Sequence, residues 1–232
     1  MTRSLSLLLM LLALLVAGCG DDDDDSGDES GTATTPPAET QADTQAEEAP
    51  APGECAEVTQ PDPKRDGGED APTEELTGDH EVTFTTNCGE FTVEIDEEVG
   101  GMSAASFVQL AESGFYEDTF FHRIAVDFVI QGGDPTGTGT GGPGYTTEDP
   151  PPNDATYDRY TVAMAKAGPE PPGTAGSQFF VMTGDGGLPP DYAIVGEVTE
   201  GKKVVDAIGE LGDPAQQPTE VVVIEGATVK GG

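Results

Sequence analysis

From His80 onward the chain alternates between apolar and polar residues: Val82 and Phe84, then Phe91, Val93 and Ile95, are each separated by polar neighbours. A repeat of two puts every second side chain on one face, the pattern of a half-buried strand and not of a surface helix. Asn87, Cys88 and Gly89 provide the turn between the two runs. Further strand-like runs cover 120–124, 128–132, 161–165, 179–183, 193–198 and 221–229. The expected fold is mainly β, a closed, roughly eight-stranded antiparallel barrel, the size at which side chains just fill the interior.

Two helices interrupt the strands. Ser103 is placed to cap the first, with Phe107, Leu110 and Ala111 on its apolar face and Gly114 at its end. The second runs over 201–210, where Val204, Val205 and Ile208 form a stripe. Both are expected to cap the barrel with their apolar residues in its core.

The first third of the chain is built differently. Arg3 precedes an apolar run from Leu5 to Ala17, too short to span a bilayer comfortably, and Val16-Ala17-Gly18-Cys19 resembles a bacterial lipobox. Residues 1–18 are expected to be a signal peptide, with Cys19 lipidated and the protein held outside the cell on the membrane. An ordinary secretory signal is the alternative. Residues 19–53 are acidic and rich in Pro, Thr and Ala, a composition that buries too little to offset its ordering entropy, so a disordered tether is expected. A polar extension, 54–79, then leads to the folded domain at 80–232.

The net charge of -36, with Lys and Arg totalling only 9, leaves no basic face for phosphates and excludes nucleic acid as a partner. With Cys19 set aside, Cys55 and Cys88 remain as a pair in an oxidising compartment. A disulfide between them is the preferred reading, and two free thiols the alternative. Their spacing has no CxxC pair to support zinc or thioredoxin-type chemistry. No metal or cofactor is expected.

The densest motif is Phe120-Phe121-His122-Arg123-Ile124-Ala125-Val126-Asp127-Phe128-Val129-Ile130-Gln131-Gly132-Gly133-Asp134. Together with Met164-Ala165-Lys166-Ala167-Gly168 and Gly176-Ser177-Gln178-Phe179-Phe180, it resembles the FHR, F-x-x-QGGD, MAxAG and GSQFF motifs of cyclophilins, in the same order. The resemblance covers roughly 80–230 and implies a peptidyl-prolyl cis/trans isomerase acting as a monomer on X-Pro segments of exported polypeptides. It implies Arg123 as donor to the prolyl nitrogen, Gln131 as the residue positioning the substrate backbone, and Phe128, Val129, Phe180 and Leu188 as the wall for the proline ring. Ala165, Lys166, Ala167 and Gln178 fall where the family contacts the residues before the proline. His122 and Tyr192 lie beside the site, His122 reading equally as site wall or framework. A peptide-binding or chaperone module without catalysis is the alternative function.

Gly137-Thr138-Gly139-Thr140-Gly141-Gly142 satisfies G-x-G-x-x-G, but Pro143-Gly144 follows where a dinucleotide site needs a helix, so it reads as a groove rim. The loop 184–191 is shorter than in well-known eukaryotic cyclophilins and lacks their tryptophan. Tyr192 replaces a histidine and Lys166 an asparagine, so cyclosporin binding is not implied, and Lys166 would favour acidic residues near the proline.

Overall fold

The computed structural model describes residues 54–232. The signal peptide, Cys19 and the tether lie outside the described residues.

The alternating runs form β1 (His80–Thr86) and β2 (Gly89–Ile95), a hairpin in which Val82 pairs with Val93 and Phe84 with Phe91. Next come α1 (Glu97–Glu112), β3 (Thr119–Phe120), β4 (Arg123–Ala125), β5 (Val129–Gly132) and β6 (Thr147–Glu148). The second half holds β7 (Thr161–Met164), β8 (Thr174–Ala175), β9 (Phe179–Met182), β10 (Ile194–Glu200), α2 (Lys202–Gly209) and β11 (Val223–Gly231). Nine strands form one antiparallel sheet in the order β3-β11-β1-β2-β10-β7-β9-β5-β4, and β6 pairs with β8 separately.

The fold is mainly β with two helices, as expected, but the sheet has nine strands because the run 120–124 is broken. Its halves, β3 and β4, are the two edges of the sheet, joined only through Phe121 and His122. The chain itself therefore completes the curl that no ladder closes. At this junction the Phe121 N–H donates to the Val222 carbonyl at 3.0 Å and the Ile124 N–H to the Gln216 carbonyl at 3.1 Å.

Alternation sorts the side chains into two clusters on opposite faces. Inside lie Val82, Phe84, Phe91, Val93, Phe121, Ile124, Ile130, Val162, Phe179 and Val181, with Phe107 and Leu110 of α1 and Val204, Val205 and Ile208 of α2. Phe84 is central, its ring 5.2 Å from Phe179, 5.3 Å from Phe91, 5.7 Å from Tyr116 and 5.8 Å from Phe107. Each such buried side chain stabilises the fold by about 1.5 to 3 kcal/mol. The second cluster, on the outer face, holds Ala125, Val129, Tyr157, Ala163, Phe180 and Met182.

Helix α1 departs from its expected start. Asp96 caps a first turn by accepting from the Val99 N–H at 3.0 Å, and Gly101 (φ 49°, ψ -129°) then breaks the helix. When it resumes, Ser103 is buried within it and is not the cap. Asp149, immediately after β6, accepts from Met102 N–H at 3.2 Å, Ser103 N–H at 2.8 Å and the Ser103 hydroxyl at 2.6 Å. A carboxylate supplied across the fold thus satisfies amides that local capping rules assign to a neighbour.

The extension 54–79 has no regular secondary structure, but it packs along the domain. Cys55 and Cys88 are joined, with S–S 2.06 Å, and Asn87 Nδ2 donates to the Ala56 carbonyl at 2.7 Å.

Candidate active site

Strand register assembles the site. Arg123 on β4 pairs with Gln131 on β5, Gln131 with Phe180 on β9, and Phe180 with Ala163 on β7, so one row crosses four strands on the outer face. The adjacent row is Ala125, Val129 and Met182. The residues between them, Ile124, Ile130 and Val181, face the core. One FHR-to-QGGD hairpin therefore serves both the interior and the site.

These rows floor a pocket of about 190 Å³ lined by Arg123, Phe128, Val129, Gln131, Ala165, Lys166, Phe180, Leu188 and Tyr192. All nine were among the residues expected from the sequence. Val129 and Phe180 are buried, whereas Arg123, Phe128 and Leu188 are half-buried around the mouth. Asp127 takes a positive φ of 57° in the β4–β5 turn, which brings Phe128 round beside the guanidinium. The Arg123 Cζ lies 6.0 Å from the Phe128 ring centroid.

The guanidinium is held from two sides. Its Nη1 donates to Gln131 Oε1 at 3.1 Å and its Nε to Gln216 Oε1 at 2.8 Å. Gln131 Nε2 donates to Gln178 Oε1 at 3.1 Å, and Gln178 Nε2 to the Gly141 carbonyl at 2.9 Å. Two of the five guanidinium N–H donors are used, leaving the rest for a bound molecule. Gln216 was not foreseen. It lies in the connection between α2 and β11, 93 residues from Arg123, and no local motif marks it.

Beside the pocket opens a cleft of about 640 Å³ lined by Gly139 to Thr146, Ala165, Lys166, Ala167, Glu170 and Gln178, among others. Ala167 and Gln178 belong to this cleft rather than to the pocket. The glycine-rich loop is its rim, and no helix follows it. Asp134 organises the loop, accepting from Thr136 N–H at 2.7 Å, the Thr136 hydroxyl at 2.8 Å and Gly139 N–H at 2.5 Å. Burial raises the pKa of this carboxyl, but the donors on Thr136, Gly141 and Gly139 outweigh it and hold Asp134 below its ordinary range.

His122 lines neither space. It sits beneath the rim, where a Cβ at Gly139 would be 3.8 Å from its Nε2, and its Nδ1 is buried without a partner among the described residues. Burial lowers its pKa and the Arg123 charge adds to this, against the opposing pull of Asp134. The imidazole is accordingly framework under the loop, with burial favouring its uncharged form.

Lys166 does not project freely. Its Nζ donates to the Glu170 carbonyl at 3.1 Å and lies 5.7 Å from the Tyr192 ring. Tyr192 is itself clamped: the Tyr157 hydroxyl donates to the Tyr192 carbonyl at 2.7 Å and accepts from its N–H at 3.0 Å. Tyr157, in a Pro- and Asp-rich loop, carried no sequence signal for this role.

An oriented guanidinium thus stands over an apolar pocket, and a polar cleft continues from it. The chain belongs to the cyclophilin family of peptidyl-prolyl cis/trans isomerases: the family described as cyclophilin type peptidyl-prolyl cis-trans isomerase/CLD matches residues 81–229. It is 41% identical over 177 residues to the probable peptidyl-prolyl cis-trans isomerase A of Mycobacterium leprae, covering 68% of this chain and 96% of that protein. It is 40% identical over 168 residues to peptidyl-prolyl cis-trans isomerase A of Mycobacterium tuberculosis, covering 64% and 91%. Among solved structures, a Cryptosporidium parvum cyclophilin type isomerase superposes with TM-score 0.59 at 31% identity, covering 66% of this chain and 98% of that one. The same isomerase was also solved in the presence of the dipeptide Ala-Pro, with TM-score 0.58.

Proposed function

We propose that this isomerase acts on X-Pro bonds of exported polypeptides from a lipid anchor at Cys19, with Arg123 as the group that lowers the rotational barrier. The free amide resists rotation by ~18 to 20 kcal/mol because resonance must be lost. Near the top of that barrier the prolyl nitrogen becomes pyramidal and basic. A donor aimed at it binds the twisted amide better than either planar form, which is how rotation is accelerated without covalent chemistry.

The residues divide this work. Phe128, Val129, Phe180 and Leu188 enclose the proline ring, while the Gln131 amide, bridging Arg123 and Gln178, engages the substrate backbone. Arg123 supplies permanent charge and unspent N–H groups. The observation that carries the reading is the double tether of the guanidinium, which fixes its plane over the pocket before substrate arrives. The apolar run ending at Cys19 supports export and anchoring.

The test is isomerisation of a short X-Pro peptide by the disulfide-intact domain. Arg123→Ala is expected to cut kcat/KM by about a hundredfold, a typical loss for one transition-state donor. Retention of full activity by Arg123→Ala, alongside loss in Phe128→Ala, would remove Arg123 from this role. For the anchor, Cys19→Ser should release the protein from membranes, and continued retention would contradict lipidation.

A further inference from the structure

The family match begins at Glu81, yet the segment before it forms part of the cleft. This strap is tied at one end by the Cys55–Cys88 bond. Lys64 then anchors it at the end of α1, its Nζ donating to the carbonyls of Phe115 at 2.9 Å and Glu117 at 2.7 Å. Beyond Lys64 the strap runs against the glycine-rich rim. Lys64 N–H donates to the Pro135 carbonyl at 2.7 Å, Gly67 N–H to Gly142 at 2.9 Å and Glu69 N–H to Pro143 at 3.0 Å. Gly67 (φ 69°) and Gly144 (φ 98°) meet here, and a Cβ on Gly144 would lie 2.9 Å from the Gly68 nitrogen. Only glycines let the two backbones come this close.

The strap thereby holds a carboxylate in the cleft wall. Asp66 Oδ1 accepts from the Gly142 N–H at 2.9 Å, and among the described residues Oδ2 has no hydrogen-bond or ion-pair partner. Glu170 lines the same cleft with one oxygen on the Ala167 N–H at 2.6 Å. Lys166 lines the cleft as well, and its ammonium is engaged there by the Glu170 carbonyl at 3.1 Å, 5.7 Å from the Tyr192 ring, so Asp66 and Glu170 set two carboxylates against one ammonium. The cleft is continuous with the proline pocket, sharing Gln131, Ala165 and Lys166.

We propose that Asp66 is a specificity-determining residue: carried into the cleft by the strap, it selects Lys or Arg at the peptide position preceding the X-Pro pair. This rests on the isomerase reading above, in which the shared residues face the part of the peptide before the proline. It reverses the preference for acidic residues expected from Lys166.

The experiment measures isomerisation of Xaa-Ala-Pro-Phe peptides, with Xaa as Lys, norleucine or Glu, by the full disulfide-bonded domain and its Asp66→Asn variant. Asparagine keeps an oxygen for the Gly142 N–H and removes only charge. Wild type should favour Lys over norleucine in kcat/KM by about threefold at low ionic strength, as expected for one exposed charge pair. That ratio should fall towards one in Asp66→Asn and in high salt. A ratio near one in the wild type, or one unchanged in Asp66→Asn, overturns the proposal. If no peptide turns over, the isomerase reading itself fails, and the charge preference is then read from peptide affinities followed at the Gly142 amide by NMR, where equal affinities overturn it.

Discussion

The Nε of Arg123 donates to the side-chain oxygen of Gln216 at 2.8 Å, while Ile124, the residue after Arg123, donates its N–H to the Gln216 carbonyl at 3.1 Å. Gln216 thus secures both the strand carrying the arginine and the arginine's charged end. It does so with a left-handed backbone, φ 63°, in a loop where Asp213 Oδ1 accepts from the N–H groups of Ala215 and Gln217, both at 2.8 Å.

Gln216→Gly is expected to lower kcat by about tenfold, from loss of one hydrogen bond to a charged group. KM should change little, because the pocket walls are untouched. Glycine suits the positive φ, so the loop and the unfolding midpoint should be retained. Equal loss of kcat and stability, or no change in kcat, would contradict a positioning role.

Asp149→Ala should destabilise the domain by about 2 to 3 kcal/mol in urea denaturation, since it strips an acceptor from two amides and a hydroxyl near the start of a buried helix. Ser103→Ala should cost about 1 kcal/mol, because the amide bonds to Asp149 remain. The reverse order would restore Ser103 as the principal cap.

Acid should weaken the fold in two steps. His122 has a lowered pKa, so the unfolded chain takes up its proton first. Its contribution is complete above the ordinary imidazole value, about 6.5, and is lost as pH falls through the folded value. Asp134, also lowered, contributes above the ordinary carboxylate range and loses that contribution at still lower pH. Urea midpoints measured from pH 7 to pH 5 should decline, and His122→Gln should flatten that decline. A His122 titration midpoint by NMR at or above about 6.5 would contradict it.

Reduction and alkylation of Cys55 and Cys88 should lower stability by about 3 to 4 kcal/mol, the chain-entropy value for residues separated by 33 positions. Free-thiol labelling of both cysteines in the unreduced protein would show that the bridge does not form in solution.

Much of the site was readable because it lies in short contiguous motifs. Phe128, Val129 and Gln131 share one strand and its turn with Arg123 opposite, and Phe180 belongs to the neighbouring ladder. Alternation alone separated Ile130 and Phe179, which enter the core, from Gln131 and Phe180, which do not. His122, next to Arg123 in sequence, reads equally as site wall or framework, and the structure puts it under the rim and outside both the pocket and the cleft. Its burial depends on the rim that Asp134 folds over it.

The sequence by itself determined the longer strands, the two helices, and the guanidinium and apolar side chains that share the outer face, but not the break in the run 120–124 or the short β6–β8 pair. Periodicity and residue chemistry act locally, and pairing carries them across the sheet. Only the tertiary structure decided which distant groups finish the design: Asp149 at the restart of α1, Gln216 on Arg123, Tyr157 on Tyr192 and Asp66 at the cleft. Each is a polar side chain meeting a donor or acceptor far along the chain. Such pairings follow from where the folded backbone leaves an unmet hydrogen bond, and no spacing rule in the sequence contains that information.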